Sequence, residues 1–326
     1  MKTGEVSFKE LGITKFSQVQ ADNFMGSIYE ASPFGKVWYV DGTNGSDGNL
    51  GDGPNAGEAF ASIGAAITAA VATRGDTVVI YPGTYTITSA LSPKAYMTFR
   101  AAIVNPQAPS VSIRSNLRNP VTVDVNGVRF VGIEFRATGT TSARLVTLAD
   151  TTAITGGVTF EDCVFHGADQ SGGAVLGQNG VSGIWAADGT NAVTGLVVRR
   201  CLFRDFGKTG IDIGVAGAPY AKIEDNLFSI DTDLGWGISI GDSAAFNTGK
   251  GYVVRNNEFI GPDATTTSQV GIRLAGTLNT TAAGMIRTNY FSYHAHVAIT
   301  QGVAPSAIVE NYDNQDDGSG VIDGSA

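Results

Sequence analysis

The chain is poor in several of the groups that usually carry chemistry. It has 2 cysteines, 3 histidines and 3 tryptophans in 326 residues, and charged residues make up only 16%. With His166, His294 and His296 as the whole imidazole supply, histidine-based acid–base catalysis has little material. His294 and His296 share one strand face, as two metal ligands would, but no third ligand accompanies them in sequence and they read as surface residues. Basic residues are scarcer than acidic ones, 21 against 30; the net charge of −9 argues against a nucleic-acid partner and mildly against unaided binding of an acidic polysaccharide. No apolar run approaches a membrane span, and residues 1–16 hold no signal-peptide pattern, so the expectation is synthesis in the cytoplasm without membrane insertion. Low charge does not mean disorder here, because 43% of residues are hydrophobic, ample for a core.

What the chain does have is glycine, 43 residues of it, and a recurring phrase. The phrase reads apolar, polar, polar, Cys or Asn, any residue, and usually Phe. Its copies centre on Cys163, Cys201, Asn226, Asn257, Asn289 and Asn311, at spacings of roughly 22 to 38 residues, the range of stacked supersecondary units. A unit this short cannot bury its own apolar face, so neighbouring units stack into one continuous core. The six centres are the expected structural ladder. Cys163 and Cys201 hold equivalent places in it, as core members first and redox or metal residues second. Adjacent coils about 4.8 Å apart would bring their backbones within disulfide reach with side chains nearly parallel.

Strand alternation sorts the rest of the phrase. The residue three before each centre and the Phe two after it point inward; the centre sits at a bend that Asn tolerates, its amide stacked on the next copy. Two outward columns follow, Glu161, Arg199, Glu224, Arg255, Arg287 and Asp162, Arg200, Asp225, Asn256, Thr288, Glu310. Acid and base alternate in their first copies, which sets register more than stability, since an exposed pair contributes about 0.2–1 kcal/mol. The residue after the centre gives a third outward column, Val164, Leu202, Leu227, Glu258, Tyr290, Tyr312. Such an apolar stripe suits lateral contact between copies of the chain in a homotrimer, unless loops such as 167–182 fold over it. A second strand, Gly-Ile-x-Ile, recurs at 210–213, 237–240 and 271–274, with a weaker relative at 183–186. Its central residues Trp185, Asp212, Ser239 and Arg273 form an expected exposed ladder, with Trp185 and Arg273 as glycan-binding candidates.

Acidic candidates cluster near that ladder. Asp212 with Asp205, Asp231, Asp233 and Asp242 offers paired carboxylates for glycoside cleavage, although Asp is also an ordinary turn residue. Between the first strand and the first helix, Asp41, Asn44, Asp47, Asn49 and Asp52 concentrate hard oxygen donors for which calcium is the natural ion. The spacing lacks an EF-hand's terminal Glu, and a glycine-rich turn cluster needs no metal. Along the chain, residues 1–36 form an unrepeated assembly arm and 37–75 an opening strand, a Gly/Asp-rich loop and an amphipathic helix over 58–73. Residues 76–315 hold the coils, and 316–326 an acidic tail. Asp313 replaces the inward Phe in the last copy and no capping helix follows, leaving an open end for a partner subunit or larger assembly to cover.

Residues 38–48 (Trp-Tyr-Val-Asp-Gly-Thr-Asn-Gly-Ser-Asp-Gly), 60–63 (Phe-Ala-Ser-Ile), 75–80 (Gly-Asp-Thr-Val-Val-Ile) and 82–85 (Pro-Gly-Thr-Tyr) resemble the opening of pectin-lyase-like proteins. The resemblance implies an all-β, single-stranded right-handed parallel β-helix of about nine to ten coils, its first end plugged by the helix. Activity does not follow, because enzymes, adhesins and virion proteins share the architecture. Polygalacturonate hydrolases of this superfamily carry Asn-Thr-Asp, Asp-Asp, Gly-His-Gly and Arg-Ile-Lys on successive coils, a set absent here; its lyases use a calcium-binding carboxylate cluster and a basic residue. The arm and the uncapped end make the chain most similar to β-helix proteins of bacteriophage particles. That likeness implies a non-enzymatic head-decoration, fibre or spike protein, located in the virion, joined to other virion proteins through residues 1–36 and contacting host glycans. The alternative it leaves open is a tailspike-like polysaccharide depolymerase using Asp205, Asp212 and Asp242.

Overall fold

The computed structural model describes residues 35–105, 107–138, 144–167, 181–186, 191–206, 208–213, 217–229, 236–240, 250–260, 270–274, 283–292, 297–301, 308–312 and 315–316. Lys250, Val270, Leu274, Ala283 and positions from 297 onward are described by backbone alone. Residues 1–34 of the expected arm, the tail from 317, the loop at 168–180, and Asp231, Asp233, Asp242, His294, His296 and Asp313 lie outside the described residues.

The strands form three sheets of 10, 9 and 7 members. Each full coil gives one strand to each sheet: Val158–Glu161 to the first, Val164–His166 to the second and Ser182–Ala186 to the third, before Leu196–Arg199 returns to the first. Pairing is parallel from coil to coil, as when Val158–Glu161 aligns with Leu196–Arg199. A parallel neighbour needs a long crossover, and the rest of the coil supplies it. The architecture is a parallel β-helix. Val37–Val40 pairs in register with Thr77–Ile80, so the opening strand is itself the first rung of the first sheet.

The inward columns are the ones expected. Phe135, Phe165, Phe203, Phe228, Phe259 and Phe291 stack ring on ring along the second sheet, with successive centroids 5.2, 4.7, 4.6, 4.8 and 4.9 Å apart. Phe99, Phe130 and Phe160 make a shorter stack in the first sheet. Glycines of the third sheet face these rings across the core. A Cβ at Gly210 would stand 2.7 Å from the Gly237 carbonyl oxygen and 3.0 Å from the Phe228 ring. Phe135 also reveals a further copy of the phrase, 130–135, in which Ile133 occupies the Cys/Asn place.

At the bend the structure corrects the assignment of backbone strain. The left-handed residue is the one before the centre, with φ of 54° at Asp162, 52° at Arg200, 59° at Asp225, 54° at Asn256 and 52° at Thr288. The centres are buried and act through their amides. Asn257 Oδ1 accepts from the Asn226 N–H at 3.0 Å and from Asn226 Nδ2 at 2.9 Å, while Asn257 Nδ2 donates to the Ile223 carbonyl at 3.0 Å. Asn289 repeats this toward Asn257 and Val254, and Asn226 toward the Cys201 N–H and Val198. Each amide thus satisfies groups that the turn leaves unpaired inside the core. Cys163 and Cys201 continue the column as free, buried thiols. Asn311 does not join it: Ile308–Tyr312 runs straight through that position as strand, placing Asn311 opposite Ile286 and Tyr312 opposite Arg287.

The outward charge columns pair as expected. Glu161 lies among Arg129, Arg199 and Arg200, with Arg199 at 2.9 Å, and Arg255 bonds Glu224 at 2.8 Å. Burial opposes ionisation of Glu161, but the three guanidiniums outweigh it and hold the carboxyl at about 2.

At the start of the stack the helix α1 (Ile63–Ala69) is shorter than the expected 58–73. Asp47 fixes its beginning by accepting from the Ala61 and Ser62 N–H groups, and Ser62 caps it by accepting from Ala65 N. Its inner face, Ile63, Ala66 and Ile67, joins the core beside the first two strands of the first sheet. Asp76, fully buried, then ties strand, helix exit and second rung together. It accepts from Lys36 N, Trp38 Nε1, Val71 N and the Arg74 guanidinium. Burial works against its charge, yet these donors hold its pKa at about 2.

Candidate functional site

The outer face of the third sheet carries the most varied chemistry. Parallel register places Thr147, Trp185, Asp212, Ser239 and Arg273 in one column, so the expected ladder forms. It is far less open than expected: Trp185 is 6% exposed, Asp212 8% and Ser239 2%. Long cationic side chains cover it. The Arg144 guanidinium lies 3.2 Å from the Trp185 ring centroid, so Trp185 offers no bare platform for a sugar ring. Arg273 stacks at 4.0 Å on Trp236, the half-buried first residue of its strand. Lys208 Nζ stands 3.5 Å from Asp212 Oδ2.

The result is a carboxylate paired with an ammonium and flanked along the stack by two guanidiniums, each clamped on an indole. Stacked on Trp236, Arg273 presents its N–H edge in the plane of the guanidinium, where an anion can meet it. Among the described residues, the buried hydroxyls of Thr147 and Thr209 find no hydrogen-bond partner. Next to the ladder, a notch between Phe206, Phe228, Gly210 and Trp236 measures about 10 Å³, the space of one water and too small for a sugar ring.

A second polar cluster sits on the outer side of the second sheet. His166 stands in register between Arg136 and Arg204. Its Nε2 is 2.7 Å from Asp205 Oδ2 and its Nδ1 3.4 Å from Glu134 Oε1, which also lies 3.4 Å from Arg204 Nη2. Glu134 is 5% exposed and His166 9%. Burial disfavours the charge on Glu134, but hydrogen bonds from His166 and Ser112 outweigh it and hold the carboxyl at about 2. Burial likewise lowers the basicity of His166, and the bonds to Asp205 and Glu134 more than reverse this, raising its pKa. Asp205 and Asp212, expected as one acidic set, therefore have different partners, an imidazole and an ammonium.

The other expected positions are resolved more simply. Asp41 accepts from Thr43 N, Asn44 N and Asn44 Nδ2, and Asp47 from Ala61 N, Ser62 N and Ser62 Oγ. Oxygens already turned toward N–H and O–H donors do not fit a calcium ion, and Asp52 alone makes no site. Among the described residues no three His, Cys, Asp or Glu side chains are grouped to hold a metal. The column proposed for lateral contact is interrupted. Val164 is buried within the chain at 1% exposure, Leu202 and Leu227 are half-buried, and Tyr290 is 38% exposed. Gln315, not Tyr312, stands opposite Tyr290, because the last first-sheet strand is out of phase with the phrase. Among the described residues no helix is long and apolar enough to cross a membrane.

No protein-family model matches the chain, and no curated protein matches it in sequence. Solved structures do match. The deglycosylated pectin methylesterase from Aspergillus niger aligns over 87% of this chain and 86% of its own at 13% identity and a TM-score of 0.54. A pectin methylesterase mutant in complex with a hexasaccharide aligns over 87% and 90% at 10% identity and a TM-score of 0.50. The likeness is one of fold. It agrees with the pectin-lyase-like resemblance read from residues 38–85; the narrower likeness to bacteriophage particle proteins is not what these comparisons return.

Sequence reasoning missed Arg144, Lys208, Trp236, Glu134 and the importance of His166. Glu134 was recoverable, since it stands in the Phe-Val-Gly-Ile-Glu-Phe copy at 130–135, one coil before the phrase was first noticed. Nothing in the local sequence around His166 announces its two carboxylates, which come from neighbouring coils.

Proposed function

We propose that this protein processes a polysaccharide laid along the third sheet, with Asp212 as the acting carboxylate. The observation that carries the reading is the column Trp185–Asp212–Ser239–Arg273 with its covering cations. Lys208 stands beside the Asp212 carboxylate, the group that would take a proton or attack a carbonyl carbon. Arg273, oriented by Trp236, receives an anionic group of the polymer at one end of the column. The sugar-processing activities named for the structures of like fold, pectin methylesterases, support this choice.

The test supplies methyl-esterified pectin, polygalacturonate and alginate in turn to the full chain. It follows methanol release, new reducing ends and ultraviolet-absorbing unsaturated ends, which separate de-esterification, hydrolysis and elimination. One readout rises above background, and Asp212→Asn lowers it by about 10²-fold or more. Turnover of none of the polymers, or full activity in the variant, rejects the reading.

A second reading, a structural or adhesive particle component assembled as a homotrimer, is favoured by the partly accessible Leu202, Leu227 and Tyr290. Its measurement is mass in solution by light scattering. A trimer that Leu202→Glu with Leu227→Glu dissociates supports it; an unchanged mass in the variant sinks it.

A further inference from the structure

His166 belongs to a cluster that the proposed chemistry does not use, yet its partner Asp205 leads directly into the site. Lys208 follows Asp205 by three residues, and Asp212 lies in the strand that comes next, Thr209–Ile213. Asp205 itself adopts a left-handed φ of 60°, a conformation that Asp tolerates better than most residues. Contacts from the preceding coil hold it there. His166 Nε2 bonds the Asp205 carboxylate at 2.7 Å, and Gly167 N donates to the Arg204 carbonyl at 3.0 Å. Gly167 also permits the approach, since a Cβ there would fall 1.7 Å from the Asp205 carbonyl oxygen.

Both ring nitrogens of His166 face carboxylate oxygens, Glu134 on one side and Asp205 on the other. A neutral imidazole carries one N–H and can serve only one of them; the imidazolium serves both. We propose that His166 is a positioning residue, whose doubly protonated ring pins Asp205 to Glu134 and thereby holds Lys208 against Asp212 on the third sheet. The ring nitrogens meet Glu134 and Asp205, Arg136 and Arg204 stand in the rungs on either side of it, and Ser112, Arg114 and Ser229 belong to the rungs beyond. Burial and the arginines oppose protonation and the two carboxylates favour it; the carboxylates prevail and raise the His166 pKa above its ordinary value.

The sign of the pH effect follows. The folded His166 pKa is raised, so the clamp is complete below the unfolded value of about 6.5 and is lost as pH rises through the folded value. Glu134 closes the other side, since its depressed pKa makes the clamp fail as pH falls toward about 2.

Two measurements on the full chain test the inference, and only the second rests on the proposed function. The first follows the His166 imidazole by nuclear magnetic resonance together with acylation of Lys208 read by mass spectrometry, with Lys222 as internal control. The imidazole titrates above an ordinary histidine and falls by about one unit in Asp205→Asn. At equal pH, Lys208 of Asp205→Asn and of His166→Phe acylates several-fold faster than in the parent while Lys222 does not change. An ordinary His166 midpoint, or unchanged Lys208 reactivity in both variants, overturns the clamp whether or not the chain acts on polysaccharide. The second is the pH profile of polymer processing. The parent loses rate through the His166 midpoint, and His166→Gln, which cannot titrate, lacks that limb. A limb that persists in His166→Gln overturns the coupling while leaving the function of the third sheet intact.

Discussion

The turn between the first and second sheets and the outer face of the third sheet are built from the same coils by opposite rules. At the turn, each rung repeats the one before: Phe over Phe, Asn over Asn, acid beside base. Every ladder amide there finds partners within the ladder. On the third sheet the outward residue changes at each rung, from Thr147 through Trp185, Asp212 and Ser239 to Arg273, and buried hydroxyls at Thr147 and Thr209 go without a partner among the described residues. A stack gains stability from sameness, because identical side chains meet in identical geometry. Variation along one column forgoes that gain, which points to a different selective reason for the third sheet.

Breaking the regular side should therefore cost the most. Phe228→Ala removes a ring stacked at 4.6 Å on Phe203 and 4.8 Å on Phe259 and opens a cavity, for an expected loss of about 4 kcal/mol in denaturant unfolding. Asn257→Ala leaves the Asn226 N–H and the Ile223 carbonyl buried without their partners, an expected loss of about 3 kcal/mol by the same measurement. Gly210→Ala presses a methyl on the Gly237 carbonyl and the Phe228 ring, at a cost of about 2 kcal/mol. Acid unfolding sharpens the picture. Asp76, Glu134 and Glu161 all have depressed pKa values, so they stabilise the fold above the ordinary carboxylate range and lose that contribution as pH falls from about 4.5 toward about 2. Asp76→Asn should visibly flatten that part of a stability–pH curve, since its carboxylate holds five N–H donors. The smallest stability change belongs to Asp212→Asn, expected within about 1 kcal/mol of the parent, because Asn keeps the shape and the accepting oxygen of the buried side chain and the pair it loses is with the exposed Lys208. A large loss there would erase the contrast and class Asp212 with the scaffold.

The scaffold was legible in the sequence and the site was only partly so, for the same physical reason. Repetition makes a residue's neighbour a copy of itself, so Phe203, Asn226 and Glu224 could be paired without coordinates. The third-sheet column was found by the same logic, but its covering was not: Arg144 reaches Trp185 from the preceding coil, three register positions away. His166 was discounted as one of few histidines, when scarcity says nothing about what neighbouring coils bring to it. The left-handed backbone was assigned to Asn because Asn tolerates it, whereas the structure gives it to whatever precedes, even Arg200 and Thr288. The last copy failed because the phrase was carried one rung beyond where the pairing supports it.

The asparagine column has a consequence for length. Between Asn226 and Asn289 each rung presents the next with the same ring, the same amide and a left-handed corner. At this turn the contact between rungs is thus interchangeable, so a coil added or removed there meets complementary neighbours along the turn, though not along the third sheet. Each such change alters the molecule's reach by about 4.8 Å and leaves its two ends untouched. The repeat is a ruler as well as a core.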